Sequence, residues 1–436
     1  MKRGPALLLA GVVLAGTLYA LQRRDDRLGL DREADPPAVA PTASAPPIAA
    51  VAPPWTSANI RELTPSRPQK HIAVSVPVPP QPAYDTALLT LGRVVEKWAG
   101  DPENAWAIAH GLLARGPEFR LTNELGAVAT LFSVYAEPRP VGSLTLLGFP
   151  ATRNGTPVEP HTDILLKSFT EVGLPPETPF PMGGAQVTAA DLYRYTLLKT
   201  FLRVKENKSS FADPNDMAWG VQALASWAPS RDLRWTALDG TPMDMNTLAD
   251  FLVVVLTKES KFMFDHMRAG EGFERAGQPL FSYSCGGAHL LQGASYAVAR
   301  GFGRPENRAY VAAQGPLLLY RLPVELRLYD AALARFKGER ERLLVQRLKF
   351  LGHWLESMSK LRILGLFTPD DMQQNTIEGA AQNLALTVEQ LQKLGTFDRL
   401  AELDTEDHQL FLDVIGDSAH GVRGLELALG RQEVWW

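Results

Sequence analysis

The segment Ser284-Cys285-Gly286-Gly287-Ala288-His289 contains the only cysteine of the chain beside two glycines and a histidine. Two glycines before an apolar run predict a tight backbone at a helix N-terminus, where the positive end of the helix dipole favours a thiolate. If the first helical turn includes Cys285, then His289, Gln292 and Tyr296 follow on the same face at i+4, i+7 and i+11. The pattern therefore predicts a sulfur, an imidazole, an amide and a phenol in one line.

A second candidate is Gly352-His353-Trp354-Leu355-Glu356, within a long predicted helix. His353 and Glu356 are three residues apart and share a helix face, so the carboxylate can fix the imidazole tautomer, raise its basicity or share a metal with it. A third candidate is His110, which shares one side of its predicted helix with Trp106 and Leu113. We expect that side to face inward and to line a pocket together with Gln292.

Three interpretations of these residues are open. In the first, Cys285, His289 and His353 bind zinc, with Glu356, His110 or water completing the site. In the second, an open cavity uses His289, His353, Glu356 and Tyr296 as acid and base groups or as sugar-binding groups, with a Cys285 nucleophile as a variant. In the third, the cysteine and the histidines only fill the core. The remaining histidines lack companions in the sequence and are predicted to be surface or packing residues: His71, His161, His266, His408 and His420.

The two motifs resemble those of an uncharacterised family of bacterial exported proteins, which carries a Cys-Gly-Gly-Thr-His segment followed by a Gly-His-x-Leu-Glu segment. An Ala-Trp pair near a helix start, here Ala218-Trp219, precedes them in that family. The likeness spans residues 213–358, and Ala288 stands where the family has threonine. The resemblance implies an α/α toroid, the architecture of terpenoid cyclases and protein prenyltransferase β subunits, but no reaction. Tyr283 occupies the position of the zinc-binding aspartate of the prenyltransferases, which argues against a prenyl-acceptor site.

Composition limits the classes of function. The chain has 436 residues, a formal net charge of −4 and a pI of about 6.1. A nucleic-acid-binding protein normally carries a basic balance or a basic stripe, so we expect no nucleic-acid partner. One cysteine excludes an intramolecular disulfide framework, and the fold must be stabilised by packing alone.

The N-terminal 27 residues have the pattern of a membrane anchor. Lys2 and Arg3 precede an uncharged, mostly apolar stretch from Pro5 to Leu21, which is just long enough to span a bilayer. Its end lacks a good small-x-small cleavage site, which favours an uncleaved signal anchor over a secretory signal. Thirteen prolines between Pro36 and Pro82 then predict an extended tether. We therefore expect a single-pass inner-membrane protein with its C-terminal domain in the periplasm.

Beyond Tyr84, apolar residues recur at helical spacing and no convincing series of alternating strands competes with them. The prediction is an anchor at 1–27, a disordered Pro/Ala-rich tether at 28–83 and an all-α domain at 84–436, arranged as helical hairpins in a ring. The predicted function is a pocket-bearing enzyme acting on an envelope glycan or another envelope component. The alternative is a non-catalytic module that binds or scaffolds an envelope partner.

Overall fold

The computed structural model describes residues 57–67, 71–182, 185–211 and 214–436. The predicted anchor and most of the predicted tether lie outside these residues. Within them, helices dominate, and the strands form only two-stranded antiparallel ribbons. The predicted all-α class is therefore confirmed at this level. No helix in the described part of the chain is both long and apolar enough to cross a membrane.

The helices of the described residues are numbered here in chain order. They are α1 Ser57–Glu62, α2 Pro82–Val94, α3 Ala105–Arg115, α4 Ala127–Thr130, α5 Ile164–Glu171, α6 Ala189–Lys199, α7 Pro214–Ser226, α8 Met245–Ala269, α9 Ala288–Ala299, α10 Asn307–Ala312, α11 Gln314–Arg335, α12 Arg340–Ile363, α13 Asp371–Lys393, α14 Leu400–Glu406 and α15 His408–Ala428. Helices α2 and α4 continue into single π-helical segments, Val95–Ala99 and Leu131–Tyr135.

The strands pair in six ribbons that the sequence patterns did not predict. They are β1 His71–Ile72 with β12 Val434–Trp435, β2 Glu137–Val141 with β3 Leu144–Gly148, β4 Thr152–Arg153 with β5 Thr156–Pro157, β6 Pro179–Met182 with β7 Ala185–Thr188, β8 Leu202–Arg203 with β9 Lys208–Ser209, and β10 Arg234–Thr236 with β11 Pro242–Asp244. Except for β1–β12, each ribbon joins two strands that are close in sequence and lies in a connection between two helices.

Six of the helices follow one another in space as well as in sequence. Helix α3 packs against α5, α5 against α7, α7 against α9, α9 against α12 and α12 against α15, and α15 packs back against α3. The intervening helices lie on these six: α8 on α7 and α9, α11 and α13 on α12, and α2 on α15. The six helices therefore share one interior. Side chains that lie at the same level along the helix axes meet in it.

The crossing of α12 and α15 is close because glycines line it. A Cβ built on Gly424 would lie 2.4 Å from the carbonyl oxygen of Gly352, and one built on Gly352 would lie 2.9 Å from the amide nitrogen of Gly421. Such distances leave no room for a side chain. The glycine of the Gly-His motif thus has a packing role, since it lets the two helices approach.

Replacing Gly424 by alanine is expected to destabilise the protein by about 1–3 kcal/mol, because the new methyl group must push two backbones apart. Gly379 on α13 is the matched control, since a Cβ there meets nothing within 4 Å. Gly379→Ala is expected to stabilise the protein by roughly 0.5–1 kcal/mol through helix propensity. Urea unfolding of both variants measures the difference, and equal effects at the two sites would contradict the close crossing.

The folded part begins before the predicted domain boundary at residue 84. Ile60, Val74 and Val78 are buried in the apolar core, although the sequence places them in the tether. The backbone also docks, because β1 pairs with β12, and the amide of Val78 donates to the carbonyl oxygen of Ala428. A proline-rich composition therefore did not prevent these residues from packing in an extended form.

Candidate functional site

A cavity of about 780 Å³ lies where the six helices share their interior. Each of the six helices places at least one polar or aromatic side chain in its wall, and the loop before α5 adds His161. The set is His110 on α3, Lys167 on α5, Trp219 on α7, His289 on α9, His353 on α12 and His420 on α15. The five histidines His110, His161, His289, His353 and His420 thus line one cavity, although His110 and His420 are 310 residues apart in the chain.

Cys285, His289 and His353 form the first group that could hold a metal ion. One ligand atom from each lies within 4.8 Å of the others. Neither ring nitrogen of His353 has a hydrogen-bond partner among the described residues, although the side chain is only 2 % exposed, and the Nδ1 atom of His289 is also unpartnered. A buried unsatisfied nitrogen costs about 1–3 kcal/mol, so the three nitrogens of these two cavity-lining residues are candidates for binding an ion, a water or a ligand.

The backbone around Cys285 differs from the prediction. Helix α9 begins only at Ala288, and Cys285, Gly286 and Gly287 form a left-handed turn before it, with φ of 55°, 58° and 81°. Cys285 therefore does not lie on the helix face that carries His289, Gln292 and Tyr296. Instead, the turn places the sulfur near the imidazoles of His289 and His353. Nη1 of Arg321 stabilises the turn by donating a hydrogen bond to the carbonyl oxygen of Gly286 over 2.9 Å.

A cysteine in the left-handed region costs roughly 1–2 kcal/mol relative to glycine. Cys285→Gly is therefore expected to raise the free energy of unfolding of the metal-free protein by about 1 kcal/mol. Cys285→Ala keeps the Cβ and the strained φ and is the matched control, with no expected gain. Urea unfolding in the presence of a chelator measures both, and a gain that is equal in the two variants would contradict a strained backbone at this position.

A second group that could hold a metal shares His353 with the first and adds Glu356 and His420. The Nδ1 of His420 lies 2.8 Å from Oε2 of Glu356, and the Nδ1 of His353 lies 3.8 Å from the same oxygen. The two imidazole centroids are 3.7 Å apart across the close crossing of α12 and α15. The prediction that His420 lacks companions is therefore wrong, since its partner is 64 residues away in sequence.

The ionisation of this group follows from its burial. Burial lowers the pKa of His353 well below its usual value, and the neighbouring imidazoles of His420 and His289 lower it further. Burial likewise lowers the pKa of His289 and His420. Burial alone would raise the pKa of the Glu356 carboxyl, but the Lys360 ammonium and His420 hold it well below its usual range. The cavity floor thus presents neutral imidazoles, the form that binds metal ions, next to an ionised carboxylate.

His110 lies in the same wall. Its Nδ1 is 2.8 Å from the carbonyl oxygen of Trp106, its ring packs on the Trp106 indole with centroids 4.1 Å apart, and it meets His420 edge-on at 5.3 Å. Burial and the nearby His420 lower the pKa of His110 to about 3. With Nδ1 donating to the backbone, the tautomer leaves Nε2 as an acceptor.

Below the imidazoles lies a layer of buried charges. The Nζ of Lys360 is 2.6 Å from Oε1 of Glu171, 2.6 Å from Oε1 of Glu356 and 2.8 Å from Oε1 of Gln292. Lys167 and Arg423 also pair with Glu171, at 2.8 Å and 3.2 Å. Gln292, predicted as a pocket residue, belongs to this layer rather than to the cavity wall. Tyr296, predicted as a catalytic group, lies deeper still and is fully buried.

The sequence reasoning missed two further cavity residues. His161, predicted as a packing residue, stacks on the Trp219 indole at 4.4 Å, and its Nδ1 lies 3.1 Å from Oδ1 of Asp216. Asp417 lines the cavity one helical turn before His420, and burial raises the pKa of its carboxyl well above the usual value. A helical i, i+3 pattern linking Asp417 and His420 was present in the sequence and could have indicated this face of α15.

Comparison of the chain with protein-family models, with curated proteins and with solved structures finds no match in any of the three.

Proposed function

We propose that this protein is a zinc-dependent enzyme whose reaction takes place in the histidine-lined cavity. The observation that carries the proposal is His353, a buried imidazole with two unpartnered nitrogens, set within ligand distance of Cys285 and His289. A thiolate and two imidazoles are ligands that zinc accepts. Catalytic zinc sites characteristically have three protein ligands and keep a further position for substrate or water.

The roles of the residues follow from their positions. Cys285, His289 and His353 would hold the ion, which supplies a Lewis acid for a substrate oxygen. Glu356 is hydrogen-bonded to Nδ1 of His420 and lies 3.8 Å from Nδ1 of His353, so it acts on the His353 ring through its negative charge rather than through a hydrogen bond. His420 on α15, held by Glu356, and His161 in the loop before α5, held by Asp216, both line the cavity and would be the groups that exchange protons with a substrate there.

The proposed architecture is an α/α toroid. The contacts that run from α3 through α5, α7, α9 and α12 to α15 and back to α3 support it, as does the placement of the other long helices outside these six. In such a ring the inner helices surround a central cavity, and the observed cavity receives side chains from all six. Indole side chains in its wall, among them Trp98, Trp106 and Trp219, support a substrate with flat apolar faces such as a glycan.

A non-catalytic binding module is the second candidate. The volume of the cavity and its aromatic wall suit ligand capture as well as catalysis. The two candidates differ in whether a metal is bound, because a binding module does not require a thiolate and two imidazoles with unpartnered nitrogens.

The test is metal analysis of the purified full-length chain and of two variants. We expect about one zinc per chain in the wild type, and less than a tenth of that in Cys285→Ser after dialysis. His266→Ala, on the outer part of α8, is the matched control and should retain the metal. Cobalt substitution adds a spectroscopic check, since a sulfur-to-cobalt charge-transfer band must vanish in Cys285→Ser. The enzyme proposal would be overturned if the wild-type protein contained no metal and the His289→Ala variant were as stable as the wild type.

The cellular location is proposed from the sequence alone. Lys2, Arg3 and the apolar stretch from Pro5 to Leu21 support an inner-membrane anchor, and the proline-rich segment supports display of the domain in the periplasm. A reporter fused after Trp436 measures the orientation, with activity expected only outside the inner membrane. A mature N-terminus after Ala15 or Ala20 would replace anchoring by secretion.

A further inference from the structure

A side chain outside both metal groups contacts the turn that carries Cys285. Nη1 of Arg321, on α11, donates to the carbonyl oxygen of Gly286 over 2.9 Å. Helix α11 packs on α12 and is not one of the six helices around the cavity. Among the described residues, it contributes to neither group that could hold a metal. The candidate metal site is thus connected to a helix that supplies no ligand to it.

The position of the Arg321 side chain is fixed by neighbours other than the turn. Its Nε lies 2.8 Å from Oε1 of Glu325, one helical turn further along α11. Its guanidinium carbon lies 5.1 Å from the ring centroid of Phe281 and 5.5 Å from that of Phe350. Arg321 is 7 % exposed and Glu325 is fully buried. A planar guanidinium with a charge-assisted hydrogen bond and rings beside it has few alternative rotamers, so Arg321 is a rigid donor.

The turn needs such a donor because its backbone is unfavourable for a residue with a side chain. Cys285, Gly286 and Gly287 all have positive φ, which is costly for the cysteine but not for the glycines. Within the turn, the amide of Gly286 donates to the carbonyl oxygen of Tyr283 over 3.0 Å. Arg321 holds the carbonyl oxygen of the same residue, so both backbone polar groups of Gly286 are fixed.

The two glycines of the motif fit this arrangement. A Cβ built on Gly286 would lie 2.6 Å from Nη2 of Arg321, and one built on Gly287 would lie 2.4 Å from Cδ1 of Leu280. A side chain at either position would displace the neighbour that it meets. Cys285 is therefore the one residue of the turn with a side chain, and its thiol is the group that the first metal group uses.

We propose that Arg321 is a positioning residue of the metal site. Together with Glu325 it holds the Cys285 turn in its left-handed form in the metal-free protein, so that the sulfur is already beside the imidazoles when a metal ion arrives. A ligand that is already in place loses less conformational freedom on binding, which raises affinity. The inference rests on the proposed function in treating Cys285 as a metal ligand, but the holding of the turn does not require the metal.

Hydrogen exchange in the metal-free full-length protein tests the holding of the turn. Because exchange of the Gly286 amide requires the turn to open, we expect a peptide covering residues 281–288 to exchange about tenfold faster in Arg321→Met than in the wild type. Peptides from α15 should exchange at wild-type rates. Glu325 keeps Arg275 at 3.5 Å, so the variant does not leave that carboxylate alone in the interior.

Arg347→Met is the matched control for loss of a buried arginine. Arg347 is 7 % exposed, as Arg321 is, but it pairs with Asp330 and Asn383 and not with the turn. Its replacement should leave exchange in the 281–288 peptide unchanged.

Zinc affinity, measured by competition with a chelator, gives the second readout. We expect Arg321→Met to lower it by about 10–100-fold, the usual effect of removing an outer-shell partner, and to weaken the sulfur-to-cobalt charge-transfer band. Arg321→Lys, which still carries a donor for the Gly286 carbonyl oxygen, should recover part of both losses. Arg347→Met should change neither.

Wild-type exchange in the 281–288 peptide of Arg321→Met would overturn the inference, as would faster exchange by the same factor in every peptide, which indicates only a loss of global stability. If Arg321→Met does not fold, Glu325→Gln decides in its place, since it keeps the volume and removes the charge-assisted bond that fixes Arg321. Zinc analysis separates this result from the proposed function. Zinc binding with an unaltered turn contradicts only the inference, whereas a loosened turn in a protein that binds no zinc contradicts only the metal enzyme.

Discussion

Replacing His353 by alanine is expected to lower the affinity of the protein for the proposed zinc ion by more than about a hundredfold, since loss of an outer-shell partner alone typically costs 10–100-fold. Among the described residues, His353 is the one side chain that belongs to both groups that could hold a metal. Its removal therefore breaks the Cys285 and His289 set and the Glu356 and His420 set together. Competition with a chelator of known affinity measures the change.

His408→Ala provides the control for this experiment. His408 lies at the start of α15, is exposed, pairs with Asp404 over 2.8 Å and belongs to neither of the groups that could hold a metal among the described residues, so its loss should leave zinc affinity within about twofold. The fold should survive His353→Ala, because the ring makes no hydrogen bond to any described residue. Unchanged zinc affinity in a folded His353→Ala protein would show that the metal, if present, is bound elsewhere.

Lys360→Met is expected to destabilise the protein by about 3–5 kcal/mol, the usual cost of leaving buried charges without their partner. The ammonium of Lys360 bridges Glu171 on α5 and Glu356 on α12, so its loss removes the ammonium partner of Glu356, while Glu171 keeps Lys167 and Arg423. Lys393→Met is the matched control, since its ammonium is exposed, and should change stability by less than about 0.5 kcal/mol. Denaturant unfolding measures both.

The pH dependence of stability gives this prediction a second readout. In the wild type the pairing cations lower the pKa of Glu171 and Glu356 despite their burial, so the carboxylates stabilise the fold above about pH 4.3 and lose that contribution as the pH falls. Without Lys360 we expect burial to dominate and to raise the folded-state pKa of at least one of them. The stability of the variant should then fall as the pH rises from 5 to 8. Equal losses at pH 5 and pH 8 would contradict this account.

The double variant Lys360→Met/Glu356→Gln isolates the pair. Removing the second charge along with the first should recover part of the lost stability, because only one carboxylate then remains and Lys167 and Arg423 still contact it. If the loss of stability in the double variant equalled the sum of the losses in Lys360→Met and Glu356→Gln, the two residues would not be energetically coupled.

The helices were predictable where the spacing of apolar residues agreed with capping residues, glycines and prolines at the helix ends. The errors have particular causes. The spacing of apolar residues predicts a helix at 339–364, and helix α12 lies at Arg340–Ile363. The same criterion predicts a helix from Val324 to Arg335, yet α11 begins at Gln314 and carries Pro323 in its interior. A proline in a helical pattern indicates a boundary in the sequence, but tertiary packing can retain the helix across it.

For the site, the sequence indicated individual side chains but not their partners. Cys285, His289 and His353 were singled out by their chemistry and spacing, and the structure places all three at one cavity. His420 and His161 were not, because their carboxylate partners, Glu356 and Asp216, are 64 and 55 residues away. Long-range pairing of this kind depends on which helix faces meet, and one sequence without relatives contains no direct signal for that.

The pairing of β1 with β12 has a mechanical consequence. Ile72 lies opposite Val434 and His71 opposite Trp435, so the C-terminal strand pairs with the chain just after the docked residues 57–67. Tension along the N-terminal segment would therefore load the contacts of residues 57–67, among them the hydrogen bond from the Ser66 amide to the Trp227 carbonyl oxygen, before it loads this ribbon. A label attached after Trp436 would lie beside residues 71–72 and report on this side of the domain.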